Sequence, residues 1–326
     1  MTPTTQDRPS ITLRTGRFLR DWPVVTLIIL LLALVGLLEL MRPGIVNERW
    51  IGNTVRIAIP LAMLAACQTM TMLTGGIDLS AGAVATISAF VVATQTPLLG
   101  PHAAIAIALL PAVLLGLLNG IGVGLFRVHP LIMTLATGLI GIGCLQVYQR
   151  GVIATGSVIP PLLEWLGTGR TAGLPHALLV FIPFAALLLW AERRSGFGRL
   201  LYAIGANEQA ARLSGVRVWQ VHLALYALSG LVAGLAGLLY VGFIKAPSLS
   251  LAMPLLLPSV AAAVIGGTSI FGGRGSFAGT IVGALILRVL ETLLQLLRMP
   301  EGVRGILFGL IIILVTAIHV RLTGRD

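Results

Sequence analysis

About ten apolar stretches, most of them close to twenty residues long, follow one another through this chain, and that repetition constrains its fold more than any motif does. A hydrocarbon core about 30 Å thick takes about 20 residues of helix. In lipid only helices and closed barrels satisfy their own backbone groups. Barrel strands would alternate apolar and polar residues, whereas these runs are continuous. The expected fold is all-α: a polytopic membrane protein with about ten transmembrane helices, including broken or re-entrant segments. Composition agrees, since 57% hydrophobic residues, 10% charged residues and a mean hydropathy of +0.99 lie far from the soluble range.

The predicted spans are 22–41, 51–73, 80–95, 103–126, 131–148, 174–191, 220–241, 253–270, 276–297 and 304–320. Gly82, Pro183, and Pro254 with Pro258 are expected to interrupt or shorten the third, sixth and eighth. This divides the chain into a cytoplasmic tail 1–21, a single transmembrane domain 22–320 with a cytoplasmic loop 192–219, and a tail 321–326. Arginines such as Arg14, Arg17, Arg193, Arg194, Arg212 and Arg217 bias the charge toward one side, which puts both termini in the cytoplasm. The net charge of +11 follows from the same rule, so nucleic acid is not an implied partner. The run Trp22 to Leu38 is too long for a signal h-region, and more spans follow it.

Catalytic and metal roles find little support. Cys67 and Cys144 fall inside spans, and the histidines are scattered near span ends. No nucleophile, base or metal set converges at helical spacing. The single lysine, Lys245, follows Ile244, so no phosphate-binding loop of the GxxxxGK type exists. Any driving energy must come from elsewhere. Arg288 and Glu291, three apart on one helix, can neutralise each other. An ion-coupled secondary transporter would use intramembrane ionisable groups, for which Glu39, Asp78, Arg288 and Glu291 are the candidates.

Three segments stand out. In the loop ERRSGFGRLLYAIGANEQAARLSGVRVWQ, Asn207 can cap a short helix and Glu208 sits at its positive end. Ala210 and Ala211 favour helix, Arg212 lies near its end, and Gly215 can supply a left-handed stop. Such a helix suits insertion into a groove on another protein; the plainer alternative is a surface helix with positive-inside arginines. In LTGGIDLSAGAV, Gly75 and Gly76 break a helix, and Asp78 with Ser80 can cap the next one. Asp78 is then either a structural cap or part of a pathway or its gate. The third, IGGTSIFGGRGSFAGTIVGA, repeats the pattern of a double glycine, here Gly266 and Gly267, followed by a helix of small residues.

Small-xxx-small pairs at Gly116/Gly120, Gly230/Gly234, Gly279/Gly283 and Gly305/Gly309 predict close helix packing. Gln68, Thr69, Thr71, Asn119, Thr134, Thr137 and Gln146 either line a pathway or bond neighbouring helices.

With these residues in view, the chain resembles the permease subunit of bacterial ABC importers of the ribose, xylose and arabinose family, relatives of the branched-chain amino-acid permeases. The resemblance rests on LTGGIDLSAG (73–82), LLGLLNGIGVGLFRVHPLIMTLAT (114–137), FGRLLYAIGANEQAARLSGV (197–216) and AAVIGGTSIFGGRGSFAGTIVGALIL (262–287). It implies that the segment with Asn207, Glu208, Ala210, Ala211, Arg212 and Gly215 is a coupling helix docking on a cytoplasmic ABC ATPase, which would hold ATP and Mg while this chain binds no cofactor. It also implies a second permease subunit as homodimer or heterodimer, a periplasmic solute-binding protein, and a place in the inner membrane. Gly75, Gly76, Asp78, Ser80, Asn119, Gly266 and Gly267 are the expected pathway or gate residues. One departure is LLLPSVAAAVIGG (255–267), where many relatives carry acidic residues. A sugar is the expected solute, with amino acids the alternative.

Overall fold

A computed structural model describes residues 23–152 and 156–300, and 302, 303, 305–307, 309, 310 and 313 beyond them. The elements are α1 (Pro23–Met41), α2 (Glu48–Leu73), α3 (Ala81–Leu99), α4 (Pro101–Gly124), α5 (Pro130–Val152), α6 (Pro161–Thr168) and a hairpin of β1 (Arg170–Thr171) with β2 (Leu174–Pro175). Then come α7 (Leu178–Arg194), α8 (Gly196–Ala206), α9 (Glu208–Leu213), α10 (Val218–Ile244), a 3-10 turn (Met253–Leu255), α11 (Leu256–Ile265) and α12 (Phe277–Leu296). Among the described residues seven helices, α1 to α5, α10 and α12, are long and apolar enough to cross a membrane. The chain is a polytopic all-α membrane protein. Both tails, 1–21 and 321–326, and most of the tenth predicted span lie outside the described residues.

The three spans expected to be irregular differ from one another. Gly82 does not interrupt α3, which runs unbroken; a β-carbon there would lie 3.2 Å from that of Leu256, so the glycine admits the turn before α11. Pro183 lies within α7 instead of ending it, and that helix is short because the hairpin occupies 170–175. Pro254 falls in the 3-10 turn and Pro258 in the first turn of α11. At 1.5 Å per residue the ten residues of α11 reach about 15 Å, half of the hydrocarbon thickness. Residues 266–276 then return to α12 without helix. The loop predicted for 192–219 is mostly helical, as the end of α7 followed by α8 and α9.

Helix α10 is central, packing on α2, α3, α4 and α6, while α12 packs on α1, α2 and α11. Helix α1 stands outermost, with Leu38 its only buried side chain among the described ones. Lipid offers no hydrophobic gain for helix association, so the contact distance itself matters. A β-carbon on Gly116 would lie 2.3 Å from the Tyr226 carbonyl oxygen, and one on Gly230 2.3 Å from that of Ala112. Gly279 and Gly283 meet the Gly266 and Ala262 carbonyls in the same way at 2.0 and 2.2 Å. Three of the four small-residue pairs therefore mediate close helix packing, backbone on backbone at every member but Gly234, which meets the side chains of Ala112 and Ser88; Gly305 and Gly309 meet nothing within 4 Å among the described residues.

Alanine has an intrinsic helix advantage of about 1 kcal/mol over glycine, which acts equally at every helical position. Gly230→Ala should nevertheless lower the melting temperature in detergent, because overpacking costs about 1–3 kcal/mol. Gly36→Ala, on the outermost helix with nothing within 4 Å among the described residues, should not lower it. Equal melting curves for Gly230→Ala and wild type, read by size exclusion after heating, would contradict this packing.

Candidate functional site

Helix α2 stops at Gly75, whose φ of +80° lets the amides of Gly75 and Gly76 return to the carbonyls of Met72 and Thr71 at 2.9 and 3.0 Å. The chain then passes Asp78 before entering α3. The Asp78 side chain, on a residue only 2% exposed, accepts the Ser80 amide at 3.0 Å and the Ser80 hydroxyl at 2.5 Å through Oδ1. Its Oδ2 accepts the Ser229 hydroxyl of α10 at 2.6 Å. Gln68 of α2 brackets the Asp78 backbone, donating to its carbonyl at 2.9 Å and accepting its amide at 3.2 Å.

The network continues outward from Ser80. Its Oγ accepts from Asn119 of α4 at 2.8 Å, and Asn119 accepts from Thr137 of α5 at 2.5 Å. Thr134 accepts the Leu79 amide at 3.0 Å. Four helices are thereby bonded to one break, and the buried carboxylate is tolerable because both its oxygens are occupied. Of the polar span residues, Gln68, Thr69, Thr71, Asn119, Thr134 and Thr137 are buried and hydrogen-bonded. Gln146, on α5, is exposed.

Beyond α7 the segment turns sharply. Ser195 accepts the Gly198 amide at 3.0 Å, capping α8. Leu201 and Ile204 anchor α8 in the core. Asn207, in extended conformation, ends α8 and caps α9 by accepting the Ala210 amide at 2.9 Å. Glu208 pairs with Arg212 one turn later. Gly215, at φ +85°, closes α9, with the Val216 amide returning to the Ala211 carbonyl at 3.1 Å. Ala211 is buried against α8 and α10, so of the six expected contact residues it alone turns inward. Leu213, which the sequence did not single out, is 83% exposed.

The glycine-rich blocks converge here. A β-carbon on Gly205 would lie 1.8 Å from the Leu73 carbonyl oxygen and 2.4 Å from the Gly273 nitrogen. Gly273 itself donates to the Leu73 carbonyl at 3.0 Å. Gly272 and Gly273 have φ of +92° and +71°, and a β-carbon on Gly75 would lie 3.5 Å from the Phe271 carbonyl oxygen. Of the seven expected pathway residues, Gly75, Gly76, Asp78, Ser80 and Asn119 group around the break. Gly266 and Gly267 lie apart, at the turn after α11, where Gly266 abuts the Thr280 backbone.

Sequence reasoning missed Glu192 and Tyr202. Glu192, at the end of α7, accepts the Tyr202 hydroxyl at 2.8 Å and the Phe277 amide at 2.9 Å. Burial, together with Glu192, raises the Tyr202 pKa above the ordinary phenol value, so the hydroxyl keeps its proton. An acidic residue ahead of Arg193 and Arg194 reads as an interfacial charge, and its partner 85 positions away leaves no periodic signal.

A family model described as branched-chain amino acid transport system / permease component matches residues 50–316, a range that holds all of these contacts. The chain belongs to this permease family. The permease is 32% identical to the ribose import permease protein RbsC of Escherichia coli K12 over 290 residues, 88% of this chain and 90% of that one. It is 31% identical to the fructose import permease protein FrcC of Rhizobium meliloti over 310 residues, 92% of this chain and 86% of the other. To the galactofuranose transporter permease protein YtfT of Escherichia coli K12 it is 31% identical over 328 residues, 96% and 94% of the two chains. No solved structure matches the permease. As a family member it is a transport component and not an enzyme.

Asp78→Ala leaves the Ser80 amide, the Ser80 hydroxyl and the Ser229 hydroxyl without their acceptor, each stranded donor costing about 1–3 kcal/mol. The folded yield in detergent should collapse, and Asp78→Asn, which keeps one acceptor oxygen, should lose less. Fluorescence-detected size exclusion measures both; a wild-type yield for Asp78→Ala would contradict the network's role.

Proposed function

We propose that the permease is the transmembrane subunit of an ATP-binding-cassette importer for a monosaccharide or related small polar solute. A periplasmic binding protein delivers the solute, and a separate cytoplasmic ATPase, holding ATP and Mg, drives alternating access. The names of its relatives support this, covering ribose, fructose and galactofuranose import and a probable ABC transporter permease, YphD of Escherichia coli K12. They favour a sugar over the amino acids in the family's description.

The observation that carries the mechanism is the contact of Gly205 with Leu73 and Gly273. Helix α9 is the part that docks on the ATPase: it is capped at both ends, and it leaves Glu208, Gln209, Ala210, Arg212 and Leu213 exposed. Beside it lies an open cleft of about 680 Å³, walled also by Arg127, His129 and Pro130, so a partner meets a concave surface. A push on α9 passes to α8, and at Gly205 the segment is in direct backbone contact with the end of α2 and the loop before α12. No side chain intervenes to absorb the displacement. In this reading α9 and both termini are cytoplasmic, and α6 with its hairpin faces the binding protein.

The solute route follows the open face of α5. Among the described elements that helix packs chiefly on α3 and α4, and it exposes Leu135, Leu139, Gly143 and Val147 around Gln146. A side-chain amide at lipid depth is costly unless it meets water or protein. A second permease subunit, identical or related, completes the route on this face. Gly75, Gly76, Asp78, Ser80 and Asn119 shape the gate from behind by fixing the break, and Gly266 with Gly267 does the same for the turn after α11.

Leu213→Asp, on a side chain that makes almost no contact within the permease, should leave membrane insertion and folded yield intact. Retention of the ATPase on affinity-purified permease should fall at least about tenfold, in line with an exposed apolar anchor turned into a charge, and uptake should fall with it. Wild-type retention and uptake would remove α9 as the docking element.

A further inference from the structure

We propose that Glu192 and Tyr202 are positioning residues that carry the displacement of the coupling segment into α12, through their hydrogen bonds to the start of that helix. This rests on the docking of α9 described above and names the second route by which its movement enters the membrane domain.

The two residues grip both flanks of Ser276, the N-cap of α12. On one side the Phe277 amide, an unpaired donor of the first helical turn, gives its proton to Glu192 Oε2 at 2.9 Å. On the other, the Tyr202 hydroxyl lies 2.7 Å from the Gly275 carbonyl oxygen and 2.8 Å from Glu192 Oε1, so one phenol bridges α7, α8 and the α12 entry. Glu192 is 9% exposed, and Phe277 is fully buried with its ring edge-on to Phe184 of α7 at 5.9 Å. An ordinary cap would need none of this, because Ser276 already accepts the Ala278 amide at 3.3 Å. Tyr202 and Gly205 lie one turn apart on α8, so that turn touches two spanning helices at once. Gly205 meets the end of α2 through bare backbone, and the Tyr202 hydroxyl meets the Gly275 carbonyl at the entry to α12. Helix α12 in turn packs on α1 and α11 and shares α2 with α10, so a displacement of its start is passed to those three helices.

The test uses the permease with its ATPase and binding protein in proteoliposomes, comparing wild type, Tyr202→Phe and Glu192→Gln. ATPase retention, ATP hydrolysis and solute uptake are read on the same preparations. With coupling energies of the usual size, Tyr202→Phe should lose uptake about tenfold while ATP hydrolysis falls less than about twofold, raising the ATP used per solute at least about fivefold. Glu192→Gln keeps one acceptor oxygen and should shift the same ratio by less. A merely structural role would lower yield, retention and hydrolysis in step and leave ATP per solute unchanged; that outcome in either variant overturns the proposal. Should Tyr202→Phe fail to assemble, the ratio for Glu192→Gln decides alone. A wild-type permease that retains no ATPase overturns the docking reading together with this one, whereas a coupled wild type with an unchanged ratio in the variants overturns this one only.

Discussion

The Leu73 carbonyl oxygen, at the end of α2, accepts the Gly273 amide at 3.0 Å, and Gly205 lies so close to both that a β-carbon would sit 1.8 Å from that oxygen. Three segments far apart in the chain therefore meet as backbone, with glycine at the contact because nothing larger fits. Everything on that side of the molecule depends on this approach. The conformations of Gly272 and Gly273, both at positive φ, aim the loop into it, and Asn207 begins the exposed helix immediately beyond it. Force applied to α9 has no compliant layer to cross before it meets α2.

Two different physical devices hold the rest together in a solvent that gives apolar surfaces no reason to associate. Where helices lie against each other, glycine lets carbonyls and α-carbons make contact, as between α4 and α10 and between α11 and α12. Where α2 breaks before α3, side-chain hydrogen bonds take over. Asp78, Ser80, Ser229, Asn119 and Thr137 form a continuous chain of hydrogen bonds, and Gln68 clamps the backbone of the break. Thr69 and Thr280, 2.7 Å apart, add a bond between α2 and α12. The close-packed glycines resist separation, and the polar chain fixes the angle at which the helix resumes.

The spans were legible because hydropathy over twenty residues is a strong local signal, and the caps of α9 were legible because Asn207, Glu208 and Gly215 state them in sequence. The Glu208–Arg212 pair at four-residue spacing was equally visible and was overlooked. Helix α6 and the hairpin at 170–175 were absorbed into spans and loops, since eight residues and two short strands leave no window long enough to register. Gly82 and Pro183 misled for a related reason: a glycine or proline marks local cost, while the structure uses Gly82 for a long-range contact with Leu256. Glu192 and Tyr202 were out of reach altogether, because what matters about them is the start of α12, which only the tertiary fold brings near.

The central claim is that α9, α8 and the loop before α12 move as one body. It is tested most directly by double electron–electron resonance between spin labels at Gln209 and Arg274, both exposed, in the assembled transporter. Spectra would be compared in the ATP-free and ATP-trapped states of a preparation shown to take up solute. The account predicts a narrow distance within one subunit that is the same in both states to within about 2 Å, the scale of ordinary helix adjustments. A distance that shifts by several ångströms, or splits into two populations on trapping ATP, would mean that the glycine junction opens during transport, and would contradict it.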